Sequence, residues 1–173
     1  MKDYLFSPIK SSFVEDCHRL NEQNVPNVGT KTLDGFTNLL ENSDYSECIL
    51  NNNKVVGYII CFHDNEKTTN YMHGIKHKNF MEIENRVSNF LYIDRVAVDN
   101  EHRKNKLGSL LYENTLNFAK ENFIKNLTAE INLLPSINES SFKFHKSFGF
   151  SEIQTVKYSE DYEVSLQKLS INS

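Results

Sequence analysis

The alternation of apolar and polar positions predicts a strand, a loop and a helix at the centre of the chain. The run Phe90–Val98 is rich in residues that favour strands and predicts a buried strand. A short polar link follows. Beyond it, apolar side chains recur at helical spacing and predict a helix with one buried face. These side chains are Leu107, Leu110, Leu111 and Phe118.

Similar patterns predict the elements before this centre. Apolar positions recur at helical spacing over residues 11–23 and 33–41, which predicts two amphipathic helices. Apolar runs at residues 48–50 and 55–62 flank an Asn-rich turn at 51–54, and this arrangement predicts a β-hairpin.

The segment 63–89 shows neither helical nor strand periodicity, and we expect a long irregular segment that contacts the substrate. His73 and His77 lie four residues apart and would share one face of a helix. With His63 they offer a metal-dependent alternative, but no supporting ligand pattern accompanies them, so no metal is expected.

The C-terminal third predicts two strand regions around a short helix. Residues 125–134 form a strand that ends at Pro135, and residues 152–158 and 162–169 form a terminal pair of strands. Between them, Asn138 or Ser140 is expected to cap a short helix and Gly149 to end it.

Composition restricts the class of protein. With 173 residues, 39% of them hydrophobic and 24% charged, the chain fits a single soluble domain covering residues 1–173. A net charge of −4 argues against broad nucleic-acid binding, and no apolar run is long enough to cross a membrane. The N-terminus does not resemble a signal peptide. Cys17, Cys48 and Cys61 are expected to be buried thiols, so we predict a cytoplasmic protein.

The polar link has the chemistry of an anion site. It carries Arg103, Lys104, Lys106 and Gly108 just before a helix, whose first N–H groups lack internal partners. Cations and a residue without a side chain allow a diphosphate to approach this backbone closely. The alternative is an ordinary solvated basic turn.

The same link resembles the coenzyme A pyrophosphate loop of the GNAT (Gcn5-related N-acetyltransferase) superfamily. That loop reads Arg/Gln-x-x-Gly-x-Gly/Ala, and here it stands as Arg103-Lys-Asn-Lys106-Leu-Gly108, with Lys106 in place of the first glycine. A second stretch, Asn138–Phe150, is similar to the motif Asn-x-x-Ser/Ala-x-x-Phe-Tyr-x-x-x-Gly-Phe.

Together the two motifs and their spacing cover residues 46–169. More narrowly, the central strand, Glu130-Ile-Asn132 and Phe144-His145 resemble a bacterial branch of predicted acetyltransferases. The resemblance implies an α/β fold of the GNAT type, with a central mixed sheet of about six to seven strands. The sheet is expected to splay at the cofactor and to be flanked by about four helices.

The resemblance also implies the binding site for acetyl-CoA, the acyl donor. The pantetheine arm is expected to pair with backbone near Val96–Val98, and the pyrophosphate to lie on amides from Lys104 to Ser109. The implied cofactor-binding residues are Val96, Ala97, Val98, Arg103, Lys104, Asn105, Lys106, Leu107, Gly108, Ser109, Asn138, Ser141 and Phe144.

Direct attack of an amine on the thioester requires proton transfers and stabilisation of an oxyanion, which a backbone N–H near Val96–Ala97 would supply. His145 stands where the family usually has the tyrosine that protonates the departing thiolate, and its ordinary pKa of about 6.5 suits that role. The alternatives are a histidine that only packs beside the cofactor, with protonation by water, or a substitute acid in Tyr92 or Tyr112.

Asp94 and Glu130 are the candidate bases, because each carboxylate interrupts an apolar strand. Asp94 could instead form an ion pair with Arg95 or Arg86, and Glu130 could recognise the cationic amine before attack.

We therefore expect an acetyl-CoA-dependent N-acetyltransferase, an acyltransferase that modifies a primary amine of a small molecule. The alternatives are an enzyme that acetylates a protein or peptide, and a non-catalytic acyl-CoA-binding module. A homodimer formed through terminal strands is possible within this family. No nucleic-acid or membrane partner is expected.

Overall fold

The computed structural model describes residues 3–171, which form a mixed sheet with helices. Its seven strands are Leu5–Pro8 (β1), Tyr45–Asn51 (β2), Lys54–His63 (β3), Phe90–Val98 (β4), Asn126–Leu134 (β5), Ser151–Ser159 (β6) and Tyr162–Ser170 (β7). The six α-helices in the described residues are Val14–Gln23 (α1), Leu33–Glu41 (α2), Glu66–Gly74 (α3), Lys78–Glu84 (α4), Leu107–Glu121 (α5) and Glu139–Phe148 (α6).

The strands lie in the order β1-β2-β3-β4-β5-β7-β6. β4 runs parallel to β5, with Phe90–Tyr92 opposite Asn126–Thr128, whereas β2–β3, β5–β7 and β6–β7 pair antiparallel. The predicted mixed sheet of six to seven strands is therefore confirmed. The sequence pattern missed β1, which has only four residues and pairs antiparallel with β2.

The chain packs as two compact units. The first comprises Met1–Phe62 and Asp94–Thr115, and the second comprises His63–Ile93 and Leu116–Ser173. The chain passes from one unit to the other three times, at the end of β3, within β4 and within α5. The predicted single domain over residues 1–173 stays a prediction.

The hairpin of β2 and β3 forms where the Asn-rich turn predicts it. Asn52 and Asn53 have φ values of 50° and 62°, the left-handed conformation that a tight two-residue hairpin turn requires and that asparagine tolerates better than most residues. This turn places the long, almost wholly buried β3 in the core.

Helix α5 buries a different face from the one expected. Leu107, Leu111 and Ala119 are at most 2% exposed, whereas Leu110 is 37% exposed. Positions 107, 111 and 119 keep the spacing of one helical face, and Leu110 lies off it. The expectation that Leu110 is buried is therefore wrong. All three cysteines are fully buried and unpaired by disulfides, as the sequence predicts.

The prediction of an irregular segment over residues 63–89 is also wrong. The segment contains α3 and α4, which raises the number of helices above the expected four. Local caps begin both helices: Asn65 accepts a hydrogen bond from the Thr68 N–H, and the His77 ring accepts one from the Phe80 N–H. Helices this short depend on caps and tertiary packing, so a search for a long apolar stripe overlooks them.

His73 and His77 consequently lie on different helices. The His73 ring is 2.6 Å from a carboxylate oxygen of Glu84, and His77 caps α4. Among residues 3–171 no group of three or more His, Cys, Asp or Glu side chains could hold a metal ion. The longest helix within this range, α5, has 15 residues, and none of the described helices could span a membrane.

Candidate functional site

In the first unit, the link between β4 and α5 forms a tightly held loop. Asp99 caps a short 3-10 turn by accepting a hydrogen bond from the Glu101 N–H. Asn105 folds back and donates to the His102 carbonyl at 2.8 Å. These contacts fix the backbone on both sides of Arg103, and α5 begins at Leu107.

Two lysines of this loop adopt a backbone conformation that favours glycine. Lys104 has φ 68° and Lys106 has φ 58°. For a residue with a Cβ this left-handed conformation costs about 1–2 kcal/mol. Lys106 occupies the position of the first glycine in the pyrophosphate-loop motif. The residue departs from the motif, but its backbone keeps the left-handed conformation that a glycine would adopt.

The start of α5 fits a diphosphate. Backbone N–H groups in the first turn of a helix lack acceptors within the helix, and the dipole adds partial positive charge there. Lys104 and Lys106 are exposed beside it. At Gly108, a Cβ added to the backbone would meet nothing within 4 Å, so the approach to this turn is open. Leu107 points inward and anchors the helix, being 2% exposed.

The backbone N–H groups at the end of β4 point alternately toward β3 and away from it. The Asp99 N–H donates to the Val56 carbonyl of β3 at 2.9 Å. Because successive residues of a strand alternate, Ala97 also faces β3, and the N–H groups of Val96 and Val98 point away from it. This orientation suits the predicted pairing of Val96–Val98 with an extended ligand.

Asp94 forms the ion pair that the sequence left open as an alternative to catalysis. Its carboxylate lies 2.7 Å from the Arg95 Nε, and the two side chains are 2% and 6% exposed. A catalytic role for Asp94 stays a prediction, and the geometry supports the ion-pair alternative.

In the second unit, Glu130 is joined to a fully buried tyrosine. The Tyr92 hydroxyl donates to the Glu130 carboxylate at 2.6 Å, just beyond the last residue pair of the parallel β4–β5 ladder, Tyr92–Thr128. The rings of His77 and Phe80 meet the Tyr92 ring edge-on, with centroids 5.5 Å and 5.9 Å away. The tyrosine is therefore fixed, and it orients the carboxylate.

Thr128 adds an unusual polar group beside this pair. Its hydroxyl is fully buried and is the one buried side-chain polar atom without a hydrogen-bond partner in the described part of the chain. Such a group costs about 1–3 kcal/mol unless a water or a bound molecule satisfies it. Thr128 lies two residues before Glu130, so both side chains leave β5 on the same face.

His145 is buried in α6 with one ring nitrogen engaged. Its Nδ1 lies 2.8 Å from the Ser141 carbonyl, which can only accept, so Nδ1 carries the proton in the neutral ring. Burial lowers the pKa of the His145 imidazole below its ordinary value, and the bond to Ser141 opposes that effect only partly. A neutral imidazole is a weak acid, so this geometry favours the packing alternative over the predicted acid role, which stays a prediction.

The second motif shapes α6. Asn138 caps the helix by accepting a hydrogen bond from the Ser141 N–H at 3.1 Å, and Gly149 ends it with φ 106°. The Phe144 and Phe150 rings meet the His145 ring edge-on. The capping roles of Asn138 and Gly149 are confirmed. Contacts of Asn138, Ser141 and Phe144 with a cofactor stay predictions.

The predicted residues therefore form two groups, one in each unit. The first unit holds Asp94 with the residues predicted for pantetheine and pyrophosphate, and the second holds Glu130, His145 and the α6 residues. The sequence indicated Tyr92 and Glu130 separately. It missed the bond between them because partners 38 residues apart leave no local pattern.

Comparisons with known proteins identify the family of the chain. Residues 15–150 match the model of the acetyltransferase (GNAT) family. A search of curated proteins finds no match. Among solved structures, the chain is similar to Ard1 from Thermoplasma volcanium, with 15% identity, a TM-score of 0.77 and coverage of 98% of this chain and 99% of that one.

Two further structures show the same fold. The ribosomal-protein-S18-alanine N-acetyltransferase from Escherichia coli has 13% identity and a TM-score of 0.72, over 99% of this chain and 96% of that one. Arabidopsis thaliana Naa50 in complex with the bisubstrate analogue CoA-Ac-MVNAL has 16% identity and a TM-score of 0.71, over 97% and 99%. The family match spans most of the sequence, including the β4–α5 loop and the second motif, and the chain belongs to the acetyltransferase (GNAT) family.

Proposed function

We propose that this protein is an acetyl-CoA-dependent N-acetyltransferase that modifies a primary amine. The observation that carries the proposal is the β4–α5 loop, where the start of a helix, two lysines and the open approach at Gly108 offer a diphosphate site in a member of the acetyltransferase family. Acetyl-CoA supplies an activated acetyl thioester when bound.

The residues of the chain have separable tasks in this proposal. Arg103, Lys104 and Lys106 hold the diphosphate together with the first amides of α5. The Val96 N–H, which points away from β3, stabilises the negative charge that develops on the thioester oxygen. Glu130 receives the acceptor ammonium, and the hydroxyl of Tyr92 holds the carboxylate in place.

Two classes of acceptor are considered. The first is a small-molecule amine, as expected from the sequence. The second is the amino terminus of a peptide, which is favoured by the structural likeness to an S18-alanine N-acetyltransferase and to an enzyme bound to a CoA–peptide analogue. Both classes present a primary amine, so both fit the role of Glu130.

The first test is a calorimetric titration with acetyl-CoA. We expect micromolar binding to the wild type and none to Gly108→Trp, because the indole would fill the open approach to the helix. Gly74→Trp is the matched control, since a Cβ at Gly74 also meets nothing within 4 Å and Gly74 lies in the other unit. Gly74→Trp should bind acetyl-CoA like the wild type. Absence of binding to the wild type would refute the proposal.

The second test identifies the acceptor by release of free thiol from acetyl-CoA. The protein is assayed with a panel of small amines and with a library of short peptides that have free amino termini. Turnover restricted to peptides would replace the small-molecule hypothesis. Tight binding of acetyl-CoA without thiol release from either panel would instead support the non-catalytic binding module.

A further inference from the structure

Two asparagines at the end of α1, Asn21 in its last turn and Asn24 directly after it, each accept a hydrogen bond from an arginine near the predicted cofactor loop. Asn21 Oδ1 accepts from Arg95 Nη1 at 3.0 Å, and Asn24 Oδ1 accepts from Arg103 Nη2 at 3.2 Å. Both arginines belong to the same unit as α1. The stretch from Arg95 to Arg103, here called the cofactor segment, includes Val96–Val98 and leads into the pyrophosphate loop.

The first contact is rigid because Asn21 uses its whole hydrogen-bonding capacity. Its oxygen also accepts from the Tyr58 hydroxyl at 2.7 Å, and its NH2 group donates to the Glu22 carboxylate and to the Gly29 carbonyl. Asn21 is fully buried and Arg95 is 7% exposed. The end of α1 is therefore fixed against β4.

The second contact is oriented by the helix itself. The NH2 group of Asn24 donates to the Leu20 carbonyl at 2.8 Å, which turns its oxygen toward Arg103. Asn24 is 9% exposed, whereas Arg103 is exposed, so the bond lies at the edge of the buried region. The acceptor is a neutral amide, and it can hold a guanidinium without cancelling its charge. Arg103 keeps four other N–H donors for a ligand.

Carboxylates nearby would otherwise compete for the same arginine. A cavity of about 430 Å³ lies beside Asn24 and is lined by Leu20, Gln23, Asn24, Asp99, Asn100 and Glu101. Without the Asn24 bond, the Arg103 guanidinium could turn toward the carboxylates of Asp99 or Glu101. An ion pair there would take both the charge and the fork-shaped donor set away from a phosphate.

We propose that Asn24 is a positioning residue that holds the Arg103 guanidinium ready for the diphosphate of acetyl-CoA. The inference rests on the proposed function, since it assigns Arg103 to that diphosphate. It adds α1, a helix outside both family motifs, to the parts of the chain that determine affinity for the acyl donor.

The test follows the Kd for acetyl-CoA and the melting temperature in two substitutions, because a merely structural role would change only the melting temperature. Asn24→Ala removes the acceptor, and we expect the Kd for acetyl-CoA to rise about tenfold, which corresponds to about 1.4 kcal/mol. Asn24→Asp keeps an oxygen at the same place but adds a negative charge and loses the donor to the Leu20 carbonyl, so we expect a similar or larger rise in Kd together with a lower melting temperature. If Asn24 served only stability, Asn24→Asp would bind acetyl-CoA like the wild type.

Asn27→Asp provides the charge-matched control, because it places the same charge three residues away on an exposed position. We expect its Kd to stay within twofold of the wild-type value. A double-mutant cycle with Arg103→Met completes the test: Asn24→Ala should cost nothing further when the guanidinium is absent. Additive effects in the cycle would overturn the inference.

The outcomes separate this inference from the proposed function. If the wild type does not bind acetyl-CoA, the proposed function fails. If the wild type binds and both Asn24 variants bind equally well, the proposed function stands and Asn24 has no positioning role.

Discussion

Replacing Lys106 with glycine tests whether the loop keeps the conformation of the family motif at a cost in stability. Lys106 has φ 58° and is exposed, so its side chain contributes little packing that would be lost. The left-handed conformation costs about 1–2 kcal/mol for a residue with a Cβ. Glycine avoids that cost but loses about 0.5–1 kcal/mol through the greater freedom of the unfolded chain. The net gain is roughly 0.5–1 kcal/mol.

Thermal unfolding measures this gain. In a chain of 173 residues, 1 kcal/mol moves the melting temperature by about 2–4 °C. We therefore expect Lys106→Gly to melt about 1–4 °C above Lys106→Ala. The two variants remove the same charge and side chain, and they differ mainly in their tolerance of positive φ. Calorimetric Kd values for acetyl-CoA should be raised about equally in both, because both lose one cation near the diphosphate.

The comparison with alanine makes the result decisive. If Lys106→Gly melts no higher than Lys106→Ala, the left-handed conformation carries no cost and the reasoning about the motif position is refuted. If the two variants differ strongly in Kd, the conformation of residue 106 matters to the ligand beyond its charge. That result would contradict the assumption that the backbone is already formed in the free protein.

Further predictions concern the second unit. Tyr92→Phe removes the hydroxyl that donates to Glu130, and since a hydrogen bond to a charged group contributes about 1.5–3 kcal/mol, we expect the KM for the acceptor amine to rise about tenfold or more while the Kd for acetyl-CoA is unchanged. Glu130→Gln should raise the KM for the acceptor amine and leave acetyl-CoA binding intact, as steady-state kinetics would show. Burial lowers the pKa of His145 in the folded protein, so below about pH 6.5 the unfolded chain binds more protons than the folded chain does. The free energy of unfolding therefore decreases as the pH falls. Melting curves between pH 8 and pH 5 should therefore show a larger loss for the wild type than for His145→Gln, and equal losses would contradict the assigned burial effect.

The sequence predicts the backbone of this protein better than its side-chain partners. The central strand, the hairpin, α2 and the capped α6 were predicted because each depends on a local pattern of apolar positions, turn residues or caps. β1 and the helices α3 and α4 were missed because short elements are stabilised by neighbours distant in sequence. Helical periodicity alone does not show how wide the buried face of α5 is. A slightly wider face would include Leu110, so the sequence could not show that Leu110 lies outside it.

In the candidate site, too, the sequence predicts the backbone better than the side-chain contacts. The motifs predicted the pyrophosphate loop, and the left-handed Lys106 supports the alignment at the position where the residue departs from the motif. The contacts Tyr92–Glu130, Asn21–Arg95 and Asn24–Arg103 span 38, 74 and 79 residues. No spacing rule connects residues so far apart, so a single sequence cannot reveal these bonds.

His145 shows why the identity of a residue does not determine its role. A histidine at the place of the family's tyrosine suggested a proton donor, because its ordinary pKa lies near neutrality. In the folded chain, the Nδ1 proton is directed to the Ser141 carbonyl, and burial disfavours the charged ring. The remaining nitrogen, Nε2, carries a lone pair in that tautomer and can accept a proton but cannot donate one. Protonation of a departing thiolate then falls to water, and His145→Gln should retain most of kcat. A loss of a hundredfold or more in that variant would restore the acid role, because it would require a charged ring despite its burial.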